Sequence, residues 1–320
     1  MLPSSSASLP ARLPSSPVAA HTPMNGPRDR IGLAILLVVS AVALFSILNA
    51  EVKILRADYG PVQLVWARYV GALLFMAAVF TPVRGPRFLL LRTARPVAQI
   101  LRGACLLTAS LCFFLAIKWV PLATAAAITM LGPVFITALS GPVLGERVGP
   151  RRWSAVIIGF VGALVIIRPG FGDTPWQIVF TLGSAVSSSF YALLTRKLSA
   201  GEDAATSATI ATVVGTVALS LVVWSDWRTP SSAIEIGMIA SLGLLSGLGH
   251  YLYTVALGCG PASVVAPFNY SHLIFAALLG FVVFGHFPDL WTWGGAGLIV
   301  ASGLYIGYRE AVLARHRGGS

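Results

Sequence analysis

Charge is what this chain has least of. Lysine, arginine, aspartate and glutamate make up 10% of its 320 residues, against about one quarter in an ordinary soluble domain. A water-soluble fold of this length could not cover itself with so few charges. The 11 acidic residues lie singly, apart from the Glu202-Asp203 pair, so no helix end offers the clustered carboxylates, histidines or cysteines of a metal or acid–base site. There is no HExxH spacing and no Walker-type phosphate loop, which excludes a primary ATP-driven pump for this chain alone and implies no cofactor. The 3 cysteines, Cys105, Cys112 and Cys259, sit inside apolar stretches without ligand spacing, so they read as packing residues and neither a disulfide nor a metal is expected. The first 27 residues are rich in Ser, Pro and Ala and hold no apolar run of signal-peptide length. They read as a disordered tail. Their serines fit a transit peptide, and a translation start at Met24 accounts for them as well.

What is abundant is apolar sequence: 56% of the residues, with a mean hydropathy of +0.82. A bilayer-spanning helix needs about 20 mostly apolar residues. Runs of that kind fall at 31–50, 62–81, 98–118, 122–145, 152–168, 174–194, 207–225, 235–258, 261–285 and 290–308. The expectation is an all-α integral membrane protein of ten transmembrane helices, with the lipid bilayer as its first partner and no soluble domain. The net charge of +11 would suggest nucleic acid if it formed a patch, but the basic residues punctuate the apolar runs instead. Of the 22 basic residues, fourteen fall on the face that also holds both termini, among them Arg28, Arg84, Arg95, Arg151, Lys197 and Arg315. The opposite face receives Lys53, Arg56, Lys118, Arg168 and Arg228. Basic loops stay in the cytoplasm, so both termini are expected there.

The chain also matches itself. At an offset of 140 residues Pro121, Ala126, Phe135, Val143, Gly145, Trp153, Leu164 and Ile166 meet Pro261, Ala266, Phe275, Val283, Gly285, Trp293, Leu304 and Ile306. At an offset of 144, Ser40-Ala41-Val42 and Lys53 meet Ser184-Ala185-Val186 and Lys197. Five spans per repeat is an odd number, so the second half enters the membrane upside down. Inverted repeats around a midplane site are how many secondary transporters alternate between two open states.

The stretches AIKWVPLATAAAITMLGPVF, GERVGPRRW with GFVGALVIIRPG, and APFNYSHLIFAALLGFVVFG with PDLWTWGGAGLIVASGLYIGYRE resemble the ten-helix EamA type of the drug/metabolite transporter superfamily over about residues 31–310. The resemblance implies EamA-like repeats at 28–170 and 171–310, a basic tail at 311–320, and a multi-pass protein of a bacterial inner membrane. It also implies a cavity lined by spans one, three, four, six, eight and nine, with spans five and ten as scaffold. Carriers of this kind move riboflavin, S-adenosylmethionine, and amino acids or their derivatives. The chain departs from the family in carrying His286 where a Glu follows the Phe-Gly of the ninth span, while the first repeat keeps Glu146.

An ionisable group in the bilayer interior faces the bundle or a wet cavity. His272 lies near the middle of the ninth span, one turn from Asn269 and next to Tyr270, with Pro267 removing a backbone hydrogen bond just before them. His250 and Tyr253 are three apart in the eighth span. Asn49 in the first span, and Ser188 and Tyr191 in the sixth, complete the candidate substrate-binding set; Ser46 and Ser184 read equally as helix-packing glue. The repeat mates of His250 and His272 are Ser110 and Gly132, so the halves are chemically unequal. Arg68 lies about 10 Å inside the second span at a rise of about 1.5 Å per residue and could pair with Glu51 or Asp58, or attract an anion. The family commonly has Arg here, which favours a gating or structural role shared with Glu51 and Pro267. Arg102 is close enough to the cytoplasmic end to snorkel. Trp66, Tyr251 and the phenylalanines of the third span could wall a ring-bearing solute or anchor helix ends at the interface.

The reading is a secondary or facilitative transporter of small metabolites working by alternating access, and not an enzyme. A non-transporting receptor or assembly factor and a membrane-embedded enzyme are the alternatives. Protons, acting through His272 or Glu51, and a second copy of the chain are further partners the sequence leaves open.

Overall fold

The computed structural model describes residues 27–84, 93–144, 149–168, 175–198, 204–259 and 266–317. Glu146 and the N-terminal tail before Pro27 lie outside them. Every described element is helical. The spans are Pro27–Leu55, Pro61–Arg84, Pro96–Ala116, Leu122–Thr129 with Gly132–Leu144, Pro150–Ile167, Ile178–Leu198, Ala204–Ser220, Ala233–Cys259, Ala266–Tyr270 with Ser271–Phe284, and Leu290–Arg317. Six of these are long and apolar enough to cross a membrane outright, and the remaining four are shorter apolar helices. Proline opens several of them, as expected where the first N–H groups have no intrahelical partner. The last helix runs on to Arg317, past the expected end at 308.

The exterior is apolar. Leu36, Leu74, Leu221, Ile234 and Leu290 are exposed side chains, and a soluble protein rarely carries so much of this surface. A bilayer requires it. The interior packs by the repeat: span one lies against span eight as span six lies against span three, and spans five and ten pack on each other. Small residues permit the closest crossings. A Cβ on Gly71 of span two would sit 2.5 Å from the Cα of Gly243 in span eight, so these two backbones touch directly.

Spans four and nine are both broken. The first interruption falls at Met130 and Leu131. It has a local cause, since Pro133 has no N–H to give the Thr129 carbonyl. The described part of the ninth span opens as a 3-10 turn over Ala266–Tyr270 and becomes α-helical at Ser271. Ser271 is the repeat mate of Leu131, so the two breaks are equivalent although their prolines are not. The sequence reading anticipated a break in the ninth span and none in the fourth.

At the N-terminal end of span ten, Asp289 accepts from the Thr292 backbone N–H at 2.8 Å and pairs with Arg168 at 2.6 Å. Partial burial works to raise its pKa, but the Thr292 hydrogen bonds and Arg168 outweigh it and hold the carboxyl below its ordinary value. A depressed carboxyl stabilises the fold above its unfolded-state pKa of about 4 and loses that contribution as pH falls through the lower folded value. Asp289→Ala is therefore expected to lower thermal stability in detergent at neutral pH by about 1 kcal/mol, with the difference from wild type vanishing in acid. Asp289→Asn keeps the cap and should lose less. The ion pair is about two-fifths exposed and adds little. His286, at the position where the family has Glu, is exposed beyond the end of span nine and closes that end with its backbone N–H on the Gly280 carbonyl.

Candidate functional site

A cavity of about 260 Å³ lies where the two broken spans meet the centre of the bundle. Thr129, at the end of the first half of span four, and His272, in the first turn of the second half of span nine, both line it. Phe45, Leu48 and Asn49 enter from span one, Arg68 from span two, and Ala109, Ser110, Phe113 and Phe114 from span three; Ser184 and Ser188 enter from span six and His250 from span eight. The six spans expected to form the cavity all contribute, and Arg68 adds a seventh.

The polar groups are held from both halves. Asn49 Nδ2 lies 3.3 Å from His272 Nε2. An amide donating there makes Nε2 the acceptor and leaves the ring proton on Nδ1, which is buried without a hydrogen-bond partner. His250 meets the Phe45 ring edge-on at 4.9 Å. Arg68 donates from Nε to Ser246 Oγ at 3.0 Å and from Nη1 to Ser110 Oγ at 3.2 Å, with its guanidinium 5.9 Å from the Phe114 ring and 6.0 Å from Tyr69.

Several sequence candidates lie elsewhere. Arg68 does not pair with Glu51 or Asp58. Glu51 instead accepts from Ser241 Oγ at 2.7 Å in span eight, and Asp58 is exposed. Tyr270 is turned against span ten, where its hydroxyl is buried beside Gly303 without a partner. Asn269 donates to the Tyr253 hydroxyl at 3.3 Å, away from the cavity lining. Tyr191 faces Arg102, 5.2 Å from its guanidinium. Arg102 does not snorkel. It is 2% exposed and binds Thr195 Oγ1 and the Ser207 carbonyl, because spans three, six and seven close around it. Pro267 belongs to the 3-10 turn that opens span nine. Trp66 packs with Trp224 and Trp227 outside the cavity, whereas Phe113 and Phe114 do wall it.

Sequence reading missed Lys53. From the last turn of span one its Nζ donates to the carbonyls of Ile117 at 2.6 Å and Val120 at 2.9 Å, with the Phe284 ring 5.5 Å away. Arg56 adds a bond to the Phe114 carbonyl at 3.0 Å. These cations cap the C-terminal carbonyls of span three, where a helix dipole favours positive charge. The signal was available in the sequence, since Lys53 is an anchor of the repeat.

A lipid-facing bundle of two inverted halves around a polar central cavity is a membrane transporter's architecture. The chain belongs to the EamA-like transporter family, whose model matches residues 32–168 and 175–308. It is similar to the pseudopaline exporter CntI of Pseudomonas aeruginosa, 29% identical over 277 residues, covering 86% of this chain and 95% of that protein. A riboflavin transporter of Vibrio cholerae is 31% identical over 61% of this chain and 66% of its own length. An S-adenosylmethionine uptake transporter of Rickettsia prowazekii is 26% identical over 69% of this chain and 74% of its own. One solved crystal structure shares the fold with a TM-score of 0.59 at 21% identity, covering 90% of this chain and 99% of that one.

Proposed function

We propose that the protein is a secondary or facilitative carrier of a small metabolite, working by alternating access in a bacterial inner membrane with both termini in the cytoplasm. The observation that carries this reading is the position of the cavity where spans four and nine depart from α-helical geometry at equivalent points of the repeat, one in each half. A break frees backbone groups where a solute can use them, and equivalent breaks let one cavity serve both faces.

The ends of the bundle support the same reading. Lys53 ties span one to the span three–four corner on the outer side. Its repeat mate Lys197, at the inner side, is exposed. We read this as the state closed outside. Glu51 and Ser241 clasp the halves toward the outer end while Thr195, the mate of Glu51, accepts from Arg102 toward the inner end.

The solutes that the relatives' names give, namely riboflavin, S-adenosylmethionine and pseudopaline, together with amino acids and their derivatives, are the candidates. Protons are a candidate coupling ion. Counterflow in proteoliposomes is the test: saturable exchange of one class well above protein-free vesicles is expected, and rates equal to the empty vesicles across the panel would return the chain to a receptor or assembly role. In the same vesicles, Lys53→Met should unlatch the outer mouth. With the three native cysteines replaced by alanine, Ser110→Cys is expected to react with an impermeant thiol reagent added outside about tenfold faster when Lys53 is absent, the loss of a charged hydrogen bond being worth about 1.5–3 kcal/mol. Equal labelling would rule out the latch.

A further inference from the structure

We propose that the cavity takes a solute carrying one carboxylate, docked on Arg68, with its apolar or ring portion against Phe113 and Phe114. This rests on the carrier reading above and names the chemistry of its substrate.

Arg68 is the single lysine or arginine in the cavity lining, and among the described residues no carboxylate lies within ion-pair distance of it. Its two hydrogen-bond acceptors, Ser110 and Ser246, are neutral hydroxyls. They orient the guanidinium without neutralising it. A charge held inside a bilayer without a counter-ion is costly and is ordinarily paired. Here the natural partners are occupied elsewhere: Glu51 is held by Ser241, and Glu235 accepts from Tyr59 Oη at 2.7 Å and from the Ser231 backbone at 2.7 Å, at the outer end of span eight. The missing negative charge must therefore come from what enters the cavity.

The shape of the site narrows the anion. With two of the five guanidinium N–H groups used, three remain, and a pair of parallel N–H groups matches the two oxygens of a carboxylate. One positive charge balances one negative charge, which suits a carboxylate better than a phosphate dianion. At about 260 Å³ the cavity is below the roughly 300 Å³ at which drug-sized sites begin, and the flanking phenylalanines offer apolar faces. An N-acylated amino acid or a single-ring acid fits this description. The basic residue is also one-sided. Span seven, the repeat mate of span two, contains no lysine or arginine, so the carboxylate end of the solute is held by the first half in either state.

The test compares acids with their amides, which keep size and shape and lose only the charge. N-acetylphenylalanine, N-acetyltryptophan, N-acetylleucine and phenylacetate are matched with the corresponding carboxamides, with riboflavin as an uncharged ring compound, and thermal unfolding of the purified full chain is followed. Acids at saturation are expected to raise the unfolding temperature by several degrees, since a ligand of the folded state stabilises it by mass action, and the amides to leave it unchanged. Arg68→Gln should weaken acid binding about 10- to 100-fold, the loss expected for a charge-assisted pair, and Arg68→Lys should recover part of it. Where Arg68→Gln does not fold, the acid–amide comparison on the wild type and on Ser246→Ala, which frees Nε and leaves the charge, still decides. Amides that bind as well as acids, or no acid-specific shift anywhere in the panel, would overturn the proposal. Acid-specific binding without flux in proteoliposomes would instead remove the carrier reading and leave the anion site standing. Flux of an uncharged solute that Arg68→Gln does not alter would remove the anion site and leave the carrier.

Discussion

Gly243→Leu is expected to destroy the folded bundle. A side chain at this position would point into the Gly71 backbone of span two, and backbone on a packed helix cannot move aside as a flexible side chain can. Overpacking a core ordinarily costs about 1–3 kcal/mol, and here the cost should reach or pass the upper end. Size-exclusion in mild detergent should show loss of the folded peak. Gly237 stands in the same helix, and a Cβ added there would meet nothing within 4 Å. Gly237→Ala should leave the peak intact and raise stability by about 0.5–1 kcal/mol through helix propensity alone. Equal behaviour of the two variants would mean that spans two and eight do not cross at these glycines.

His272→Ala and Asn49→Ala are each expected to slow counterflow about tenfold, and the double variant no more than the slower single. The two side chains meet across the cavity from opposite halves, and a lost intramolecular hydrogen bond is worth about 0.5–1.5 kcal/mol. A double-mutant cycle should thus give a coupling of about 1 kcal/mol. Tyr270→Phe is the control: its hydroxyl is buried, without a partner and outside the cavity, so flux should not change. Additive losses at His272 and Asn49 would mean that the pair does not act as one unit.

The bundle was legible because its signals are long. Ten apolar runs, an odd number per repeat and a register of 140 residues prescribe a lipid-facing, two-part helical fold before any contact is known. Positions along a span were harder. His272, His250, Asn49 and Ser188 do reach the cavity, but Asn269, Tyr270, Tyr253 and Tyr191 do not. All of these are polar residues on helices, and helical spacing alone does not say which face turns inward. Asn269, in the 3-10 turn, donates to Tyr253, while His272 three residues on lines the cavity, so their spacing alone did not place them on one wall. Arg68 and Arg102 show the same limit from the other side. Each sits several residues inside a span, yet one opens onto the cavity and the other is closed in by spans six and seven. Long-range packing makes that distinction, and no local pattern encodes it.

The solitary guanidinium has an electrical consequence. In a cavity that opens alternately to the two sides, a fixed cation sits at the potential of whichever solution wets it, so the membrane voltage acts on it although the side chain hardly moves. An empty carrier then shifts one positive charge through the field each time it turns over, worth about 2.3 kcal/mol per 100 mV. A carrier holding a monovalent acid shifts none. On the proposed cycle, with the cell interior negative, the empty protein would rest facing inward and its outward return would be the voltage-sensitive step. Exchange of one acid for another would run indifferent to the potential, while any one-way cycle would feel it in full.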